Sequence, residues 1–177
     1  MLLKRKSIAA DERGAVIIEL AMIAPVLALL TVGMVDMSNA FSRKLALEQG
    51  AHRAIEKIMQ TTGDTTVGLA LANEAVCQVN GTNAAGVCNT SPITLADVTV
   101  TYRLECTTTG GVMTAVSKTD AAQFDALVCA NNGSDKEARY VQVAINDKYT
   151  PMMKIKFAAL STDGTYHLSA TAGTRIQ

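Results

Sequence analysis

The sequence predicts an α+β protein in which a long N-terminal helix carries a small head built on an antiparallel sheet. Near the N-terminus, no charged residue occurs from Leu20 to Val35. A helical repeat of apolar residues then continues to about residue 60, and the second half of the chain contains stretches in which polar and apolar residues alternate. A repeat of 3.6 residues indicates helix, and alternation indicates a half-buried strand.

The apolar stretch is long enough to cross a membrane. Extended back to Ala15 it has 21 residues, and its only carboxylate is Glu19. About 20 apolar residues span a bilayer as a helix. A carboxylate inside such a segment is costly and points to a functional partner, whereas a position level with the lipid headgroups would leave Glu19 simply solvated.

The helix is expected to continue past the membrane as a stalk, to about residue 60. Two neighbouring stripes of apolar residues run along it: one holds Phe41, Leu45, Ile55 and Met59, and the other holds Leu47, Ala51, Ala54 and Ile58. Such a helix from about residue 15 to 60 would be roughly 70 Å long. Pro25 removes one backbone donor, so a kink or local melting is expected there.

The remaining chain, residues 61–177, is long enough for one modest head domain. A second helix is expected at residues 66–79 and a short one from Asp120 to Ala130. Strands are expected at the alternating stretches, with a turn at Gly110 and Gly111; these strands are Val98–Cys106, Tyr140–Ile145 and Tyr166–Ala172. Residues 152–160 are compatible with either helix or strand.

Charge predicts the topology. Four basic residues precede the apolar stretch, against Asp11 and Glu12, and they are Lys4, Arg5, Lys6 and Arg13. Basic residues that flank a membrane helix stay in the cytoplasm, so residues 1–14 form a cytoplasmic leader and the head lies on the other side. The rest of the chain is slightly acidic, and no basic face indicates nucleic-acid binding.

All four cysteines follow the membrane segment. An even number in an exported domain favours disulfides. Of the three possible pairings, Cys77 with Cys88 and Cys106 with Cys129 is favoured, because each of these bridges closes a short loop over turn-rich sequence. Four free buried thiols are the alternative. A zinc site is disfavoured because paired C-x-x-C spacing is missing and the only histidines are His52 and His167.

A short basic leader, a glycine, four residues, a glutamate and then an apolar helix form the pattern of type IV pilin-like precursors. The string DERGAVIIELAMIAPVL at residues 11–27 resembles the TadE-like family, the pseudopilins or minor pilins of tight-adherence pili. The closing stretches 140–143 and 171–175 resemble the family's last strands.

The resemblance implies cleavage between Gly14 and Ala15 by a prepilin peptidase and a role for Glu19 in assembly. The partners it implies are other pilin and minor-pilin subunits and the inner-membrane assembly platform. The expected location is the bacterial inner membrane, with the N-terminus cytoplasmic and the head periplasmic, or outside the cell within a pilus.

Rival interpretations remain for parts of the chain. Small residues at Ser38-Asn39-Ala40 fit a conventional signal peptidase, although the apolar region is longer than that of a usual signal peptide. Asp36 is expected to be an interfacial residue at the helix exit. No G-x-S-x-G, phosphate loop or H-E-x-x-H motif is present, so we expect no enzyme and no cofactor. A membrane-anchored periplasmic binding module that enters no filament is the main alternative function.

Overall fold

The computed structural model describes residues 12–60, 68–131, 134–152 and 161–176. Most of the basic leader, and nearly all of the segment that was ambiguous between helix and strand, lie outside these residues. The predicted α+β class, with a long N-terminal helix and a small antiparallel head, is confirmed.

A single helix, α1 (Glu12–Gln60), has 49 residues. At 1.5 Å per residue it is about 74 Å long. Pro25 lies inside it and the helix continues through this position, so the local melting that was one of the two expectations does not occur. A proline in a helix removes one hydrogen bond, which a long apolar helix tolerates.

The C-terminal half of α1 forms one layer of the head together with α2 (Gly68–Asn80). The sheet forms the other layer, in the strand order β2-β1-β3-β4, with all neighbours antiparallel. Its strands are β1 (Val98–Thr107), β2 (Met113–Lys118), β3 (Lys136–Tyr149) and β4 (Tyr166–Arg175). A 3₁₀ turn (Leu95–Asp97) precedes β1, and the short helix α3 (Ala121–Asp125) joins β2 to β3.

The core lies between the two layers. On the helical side it includes Leu47, Ala51, Leu71 and Ala75, and on the sheet side Tyr102, Leu104, Val141, Val143 and Ile145. Alternate residues of β1, β3 and β4 face the helices, while the opposite face carries mostly polar side chains. This alternation is what an antiparallel sheet covered on one face requires.

The two apolar stripes of the stalk differ in burial. The stripe of Leu47, Ala51, Ala54 and Ile58 is buried throughout. In the other stripe only Ile55 is buried, and Phe41, Leu45 and Met59 are exposed. One face of a helix suffices to cover the head, so the second apolar stripe is left over.

A glycine permits the close crossing of α1 and α2. A Cβ built on Gly50 would lie 2.5 Å from Cγ2 of Val79 and 3.1 Å from the carbonyl oxygen of Ala75. The δ-carbon of Ile145 would be 3.3 Å away. Glycine is unfavourable inside a helix, and here it lets two helices and a strand meet.

Two features of the sheet differ from the sequence-based prediction. β2 was not predicted, because Met113–Lys118 is an edge strand in which nearly every residue is exposed, so it lacks a periodic buried face. β3 is longer than the predicted Tyr140–Ile145, because both its ends carry charged residues that face inward and find partners. Arg139 lies with its guanidinium carbon 5.1 Å from the ring centre of Phe124, and Asp147 contacts α1.

Candidate functional site: the N-terminal helix and its junction with the head

The first residues of α1 carry the predicted processing and assembly positions. Gly14 and Ala15 lie in the first turn of the helix, which begins at Glu12. Glu19 follows four residues after Ala15 and is exposed. Residues four apart lie on the same helix face, one turn from each other. A positive charge at Ala15 and the carboxylate of Glu19 would therefore occupy the same side of α1.

The segment from Val16 to Val35 makes almost no contact with the other residues that the structure describes. α1 is long and apolar enough to cross a membrane, and its most apolar 18-residue window is entirely unburied. Large apolar side chains, whose exposure to water is unfavourable, are exposed along this segment, among them Ile17, Leu20, Met22, Leu27 and Leu30. A surface of this kind on a helix end marks a contact with lipid or with another protein.

Asp36 ties the end of this segment to the head. It is 6% exposed, and its Oδ1 accepts a hydrogen bond of 2.8 Å from the backbone N–H of Met152. The hydroxyl of Tyr149 lies 3.3 Å from the same oxygen. The expected interfacial position of Asp36 at the helix exit stays a prediction. The structure adds that the carboxylate is buried, because Tyr149 at the end of β3 and the chain just after it cover it and satisfy it.

Burial raises the pKa of Tyr149 above its ordinary value, and the nearby charge of Asp36 adds to that effect against an opposing hydrogen bond from Asn39. A phenol with the ordinary tyrosine pKa of about 10 is already protonated at neutral pH, and the raised pKa of Tyr149 extends this to higher pH. Tyr149 is therefore a hydrogen-bond donor to Asp36 at neutral pH.

Two further contacts extend the junction up the helix. Nε of Arg43 lies 2.6 Å from Oδ2 of Asp147, and both side chains are partly or largely buried. Nζ of Lys44 donates to the carbonyl oxygen of Ser169 at 3.1 Å. We call Asp36, Arg43, Lys44 and their partners the junction; these partners are Met152, just after β3, Tyr149 and Asp147 in β3, and Ser169 in β4.

The rival cut at Ser38-Asn39-Ala40 falls inside the junction. Ala40 is buried against the head, and Asp36 lies on the N-terminal side of that cut. Cleavage there would separate Asp36 from the chain that holds Met152 and Tyr149. The geometry thus disfavours a conventional signal-peptidase site at this position.

The cysteines are paired as Cys77 with Cys88 and Cys106 with Cys129, the pairing that the loop lengths favoured. Their Cα atoms are 4.8 Å and 5.7 Å apart, within the usual range for disulfides. The first closes the loop after α2 and the second ties β1 to the chain that follows α3. Both crosslink the head, and neither lies at the junction.

A hollow of about 600 Å³ beside the junction holds Asp97, Asp147 and His167. A polar pocket with clustered carboxylates would be the sign of an enzyme, but both carboxylates here have structural contacts. Asp147 pairs with Arg43, and Asp97 accepts hydrogen bonds from Thr94. His52 does not line this hollow. Within the described ranges, no group of three or more His, Cys, Asp or Glu residues could hold a metal ion.

His167 lines this hollow and also contacts Asp163 on the exposed side of β4, where its Nε2 lies 2.8 Å from Oδ2 of Asp163. This hydrogen bond, together with those from Thr165, holds the pKa of Asp163 well below its ordinary value. Lys148 lies 3.3 Å from the same oxygen. The group is exposed, so it is a solvated ion cluster at the surface of the sheet.

A second hollow, of about 440 Å³, lies on the outer face of the sheet. Its lining includes Arg103, Glu105, Tyr140, Gln142 and Arg175. The side chains alternate with the buried ones of the same strands, so this surface is a regular consequence of the sheet. It is polar and of mixed charge.

Reasoning from sequence missed the junction. Asp36 was recognisable as a charged residue that ends an apolar run, but its partners lie 113 and 116 residues away in the chain. Arg43 and Asp147 are 104 residues apart. No spacing rule pairs residues so distant, and each alone resembles an ordinary surface charge.

Comparison with known proteins yields one match. A family model described as TadE-like protein matches residues 14–55. The matched segment begins at the predicted cleavage position, contains Glu19 and passes through the junction into the buried half of α1. The predicted resemblance to this family is confirmed over that segment. No curated protein and no solved structure matches the chain.

Proposed function

Because residues 14–55 match the TadE-like family, we propose that this chain is a minor pilin, or pseudopilin, of a tight-adherence pilus. The family supports a pilin-like protein related to such a pilus. In this proposal the chain has a structural role without catalysis: a prepilin peptidase processes it, and it assembles through α1. Its partners are other pilin and minor-pilin subunits and the inner-membrane assembly platform.

The observation that carries the proposal is an exposed apolar face on α1 that is longer than a membrane anchor needs. It begins at Val16 and continues beyond Asp36 through Phe41, which is 63% exposed, and Leu45. About 20 residues cross a bilayer, whereas the stretch of α1 from Val16 to Leu45 has 30 residues. Phe41 and Leu45 point away from the side of α1 that carries Ala40 and Leu47 under the head. Packing against helices of other subunits would cover this face.

Processing supplies the charge that Glu19 is proposed to meet. Cleavage between Gly14 and Ala15 leaves a cationic amine on Ala15. The Glu19 carboxylate of a neighbouring subunit can pair with it, and opposite charges attract strongly where water is excluded. An unpaired Glu19 would penalise subunits out of register, because a buried charge without a partner is costly.

The proposed topology has three parts. Residues 1–14 form a cytoplasmic leader, residues 15–60 the transmembrane and stalk helix, and residues 61–177 a periplasmic head. The basic leader supports this orientation through the excess of Lys and Arg on the cytoplasmic side. The two disulfides support an oxidising compartment for the head.

A membrane-anchored periplasmic binding module is the second candidate. The outer sheet face favours it, because Arg103, Glu105 and Arg175 border a hollow that neither the core nor the junction uses. A module of this kind would keep its head at the membrane and present the outer face to a soluble partner. It would need neither cleavage at Gly14 nor the exposed Phe41 and Leu45.

Shearing of filaments separates the two candidates. Cells that express the full chain are sheared, and the filament and membrane fractions are compared by quantitative immunoblotting. A membrane protein without a pilus role serves as the control for carry-over. We expect enrichment in the filament fraction, with intact mass giving a chain that begins at Ala15. A chain confined to the membrane fraction would favour the binding module, and a chain beginning at Phe41 would favour the signal-peptidase cut after Ala40.

A further inference from the structure

We propose that the membrane-proximal end of the head rests on the lipid surface, with Met152 as the side chain that enters the headgroup region. The surface is that of the bilayer that α1 crosses, on the side of the head. The proposal depends on α1 spanning a membrane. It does not depend on entry into a filament, and therefore goes beyond the proposed assembly role.

The length of the apolar segment fixes where the bilayer ends. Val16–Val35 has 20 residues and, at 1.5 Å per residue, is about 30 Å long. That length equals the hydrocarbon thickness of a typical bilayer. Arg13 precedes the segment and Asp36 follows it, so charged residues bracket the span. Asp36 therefore lies at the boundary between hydrocarbon and headgroups.

Asp36 holds the end of β3 at the same depth. Its Oδ1 is 2.8 Å from the backbone nitrogen of Met152 and 3.3 Å from the hydroxyl of Tyr149. The neighbouring Pro151 is buried, while Met152 is 74% exposed. A flexible apolar side chain is thus displayed within a few ångströms of the level at which α1 leaves the hydrocarbon.

Contacts along α1 define which end of the head faces the membrane. Going up the helix, Asp36 meets Met152, Arg43 meets Asp147, and Gly50 approaches Ile145. From residue 36 to 50 the helix rises about 21 Å. From residue 152 to 145 an extended chain covers about 23 Å. The two distances agree, so β3 descends toward the membrane as α1 rises from it.

The register of the sheet places the two strands β3 and β4 nearest the lipid. Tyr149 pairs with Tyr166, whereas β1 begins only opposite Ile145. The β3–β4 end therefore extends beyond β1. At the other end, Lys136 and Met113 both pair with Thr107. From residue 136 to 149 is about 43 Å along the strand, so Val112 beside Met113 lies far from the bilayer.

The chemistry of this end suits a phospholipid interface. Of the charged side chains that the structure describes near this end, Arg43 is paired with Asp147 and Lys148 with Asp163. The buried Asp36 receives two donors. The side chain of Met152 is apolar and exposed. Contact by an apolar side chain does not require anionic lipid, so a zwitterionic bilayer is sufficient.

The chain contains no tryptophan, so a single introduced tryptophan is a unique fluorescent reporter. Three full-length variants are reconstituted into phosphatidylcholine vesicles: Met152→Trp, Leu27→Trp and Val112→Trp. Two sets of brominated vesicles are used. Phosphatidylcholine brominated on the acyl chains near the headgroups serves for Met152→Trp and Val112→Trp, and phosphatidylcholine brominated near the chain ends serves for Leu27→Trp, which lies near the middle of the span. Bromine quenches tryptophan only at close range. Leu27→Trp reports insertion of α1, and Val112→Trp reports the far end of the head, where it replaces another exposed apolar residue.

We expect Met152→Trp to lose most of its fluorescence in brominated vesicles compared with unbrominated ones. Leu27→Trp should also be quenched, and Val112→Trp should keep its full intensity. Quenching at Leu27→Trp without quenching at Met152→Trp would overturn the proposal, because α1 would then be inserted with the head held away from the lipid. Loss of quenching at Leu27→Trp would overturn it equally, by removing the membrane span on which it depends.

Discussion

The two halves of α1 are built from similar residues, yet they meet different surroundings. From Val16 to Val35 the helix contacts almost nothing in the described part of its own chain, whereas from Asp36 to Ile58 one face is buried under the head. The C-terminal half buries one of its two apolar stripes under the head and leaves Phe41, Leu45 and Met59 exposed. The N-terminal half has to find its contacts outside the chain. We call the head together with residues 36–58 of α1 the complete half, because these parts pack on each other. We call residues 16–35 of α1 the incomplete half, because the described chain covers almost none of their apolar surface.

The largest expected effect is on processing, at the very start of the incomplete half. Gly14→Val should abolish cleavage, because a β-branched side chain replaces the unbranched residue at the scissile bond. Gly33→Val is the matched control, since a Cβ at Gly33 meets nothing within 4 Å and it lies far from the cut. Intact mass of membrane-extracted protein measures both. If Gly14→Val is still cleaved at the normal position, Gly14 is not required for recognition by the prepilin peptidase.

The disulfides should affect only the complete half. Replacing Cys106 and Cys129 by serine should lower the free energy of unfolding of the head by about 2–4 kcal/mol, because the closed loop restricts the unfolded chain. The Cys77–Cys88 loop is shorter, 11 residues against 23, so its loss should cost less. Denaturant unfolding measures the change. Non-reducing peptide mapping should find these two pairs, and four alkylatable thiols in exported protein would contradict them.

Regular periodicity in the sequence predicted the helices and strands of both halves. Contacts between residues that are far apart in the chain were not predicted. Periodicity located α1, α2 and three of the strands, because buried faces repeat regularly. It missed β2, whose exposed edge position leaves no buried repeat. It also shortened β3, because inward-facing Arg139 and Asp147 look like surface residues until Phe124 and Arg43 are brought beside them.

A glycine pair sharpens the comparison within the helix itself. Gly50→Val should destabilise the head by about 1–3 kcal/mol, because the added carbons displace Val79 and Ile145. Gly33→Val should leave the unfolding of the head unchanged, since that position faces open space. Thermal and denaturant unfolding of both variants gives the answer. Equal stability of the two would mean that α1 and α2 do not cross as closely at Gly50.

The smallest change expected for the isolated protein is at Glu19. Glu19→Ala should leave the head and cleavage intact. It should make insertion slightly easier, since an acidic residue near a helix end opposes insertion by less than the ~2.5–3.5 kcal/mol of a central one. A simple anchor would therefore work as well without this carboxylate. A subunit that aligns with a neighbour's amine would lose that contact.

The central claim, that the incomplete half of α1 is completed by other subunits, is tested most directly by pilus yield in cells that carry Glu19→Ala. Glu56→Ala is the matched control, because Glu56 is an exposed glutamate in the half of α1 that packs under the head. Membrane levels of the two variants and wild type are equalised before sheared filaments and surface attachment are quantified. The account predicts reduced piliation for Glu19→Ala and wild-type piliation for Glu56→Ala. Wild-type piliation in both would contradict the assembly role of Glu19 and favour the membrane-anchored binding module.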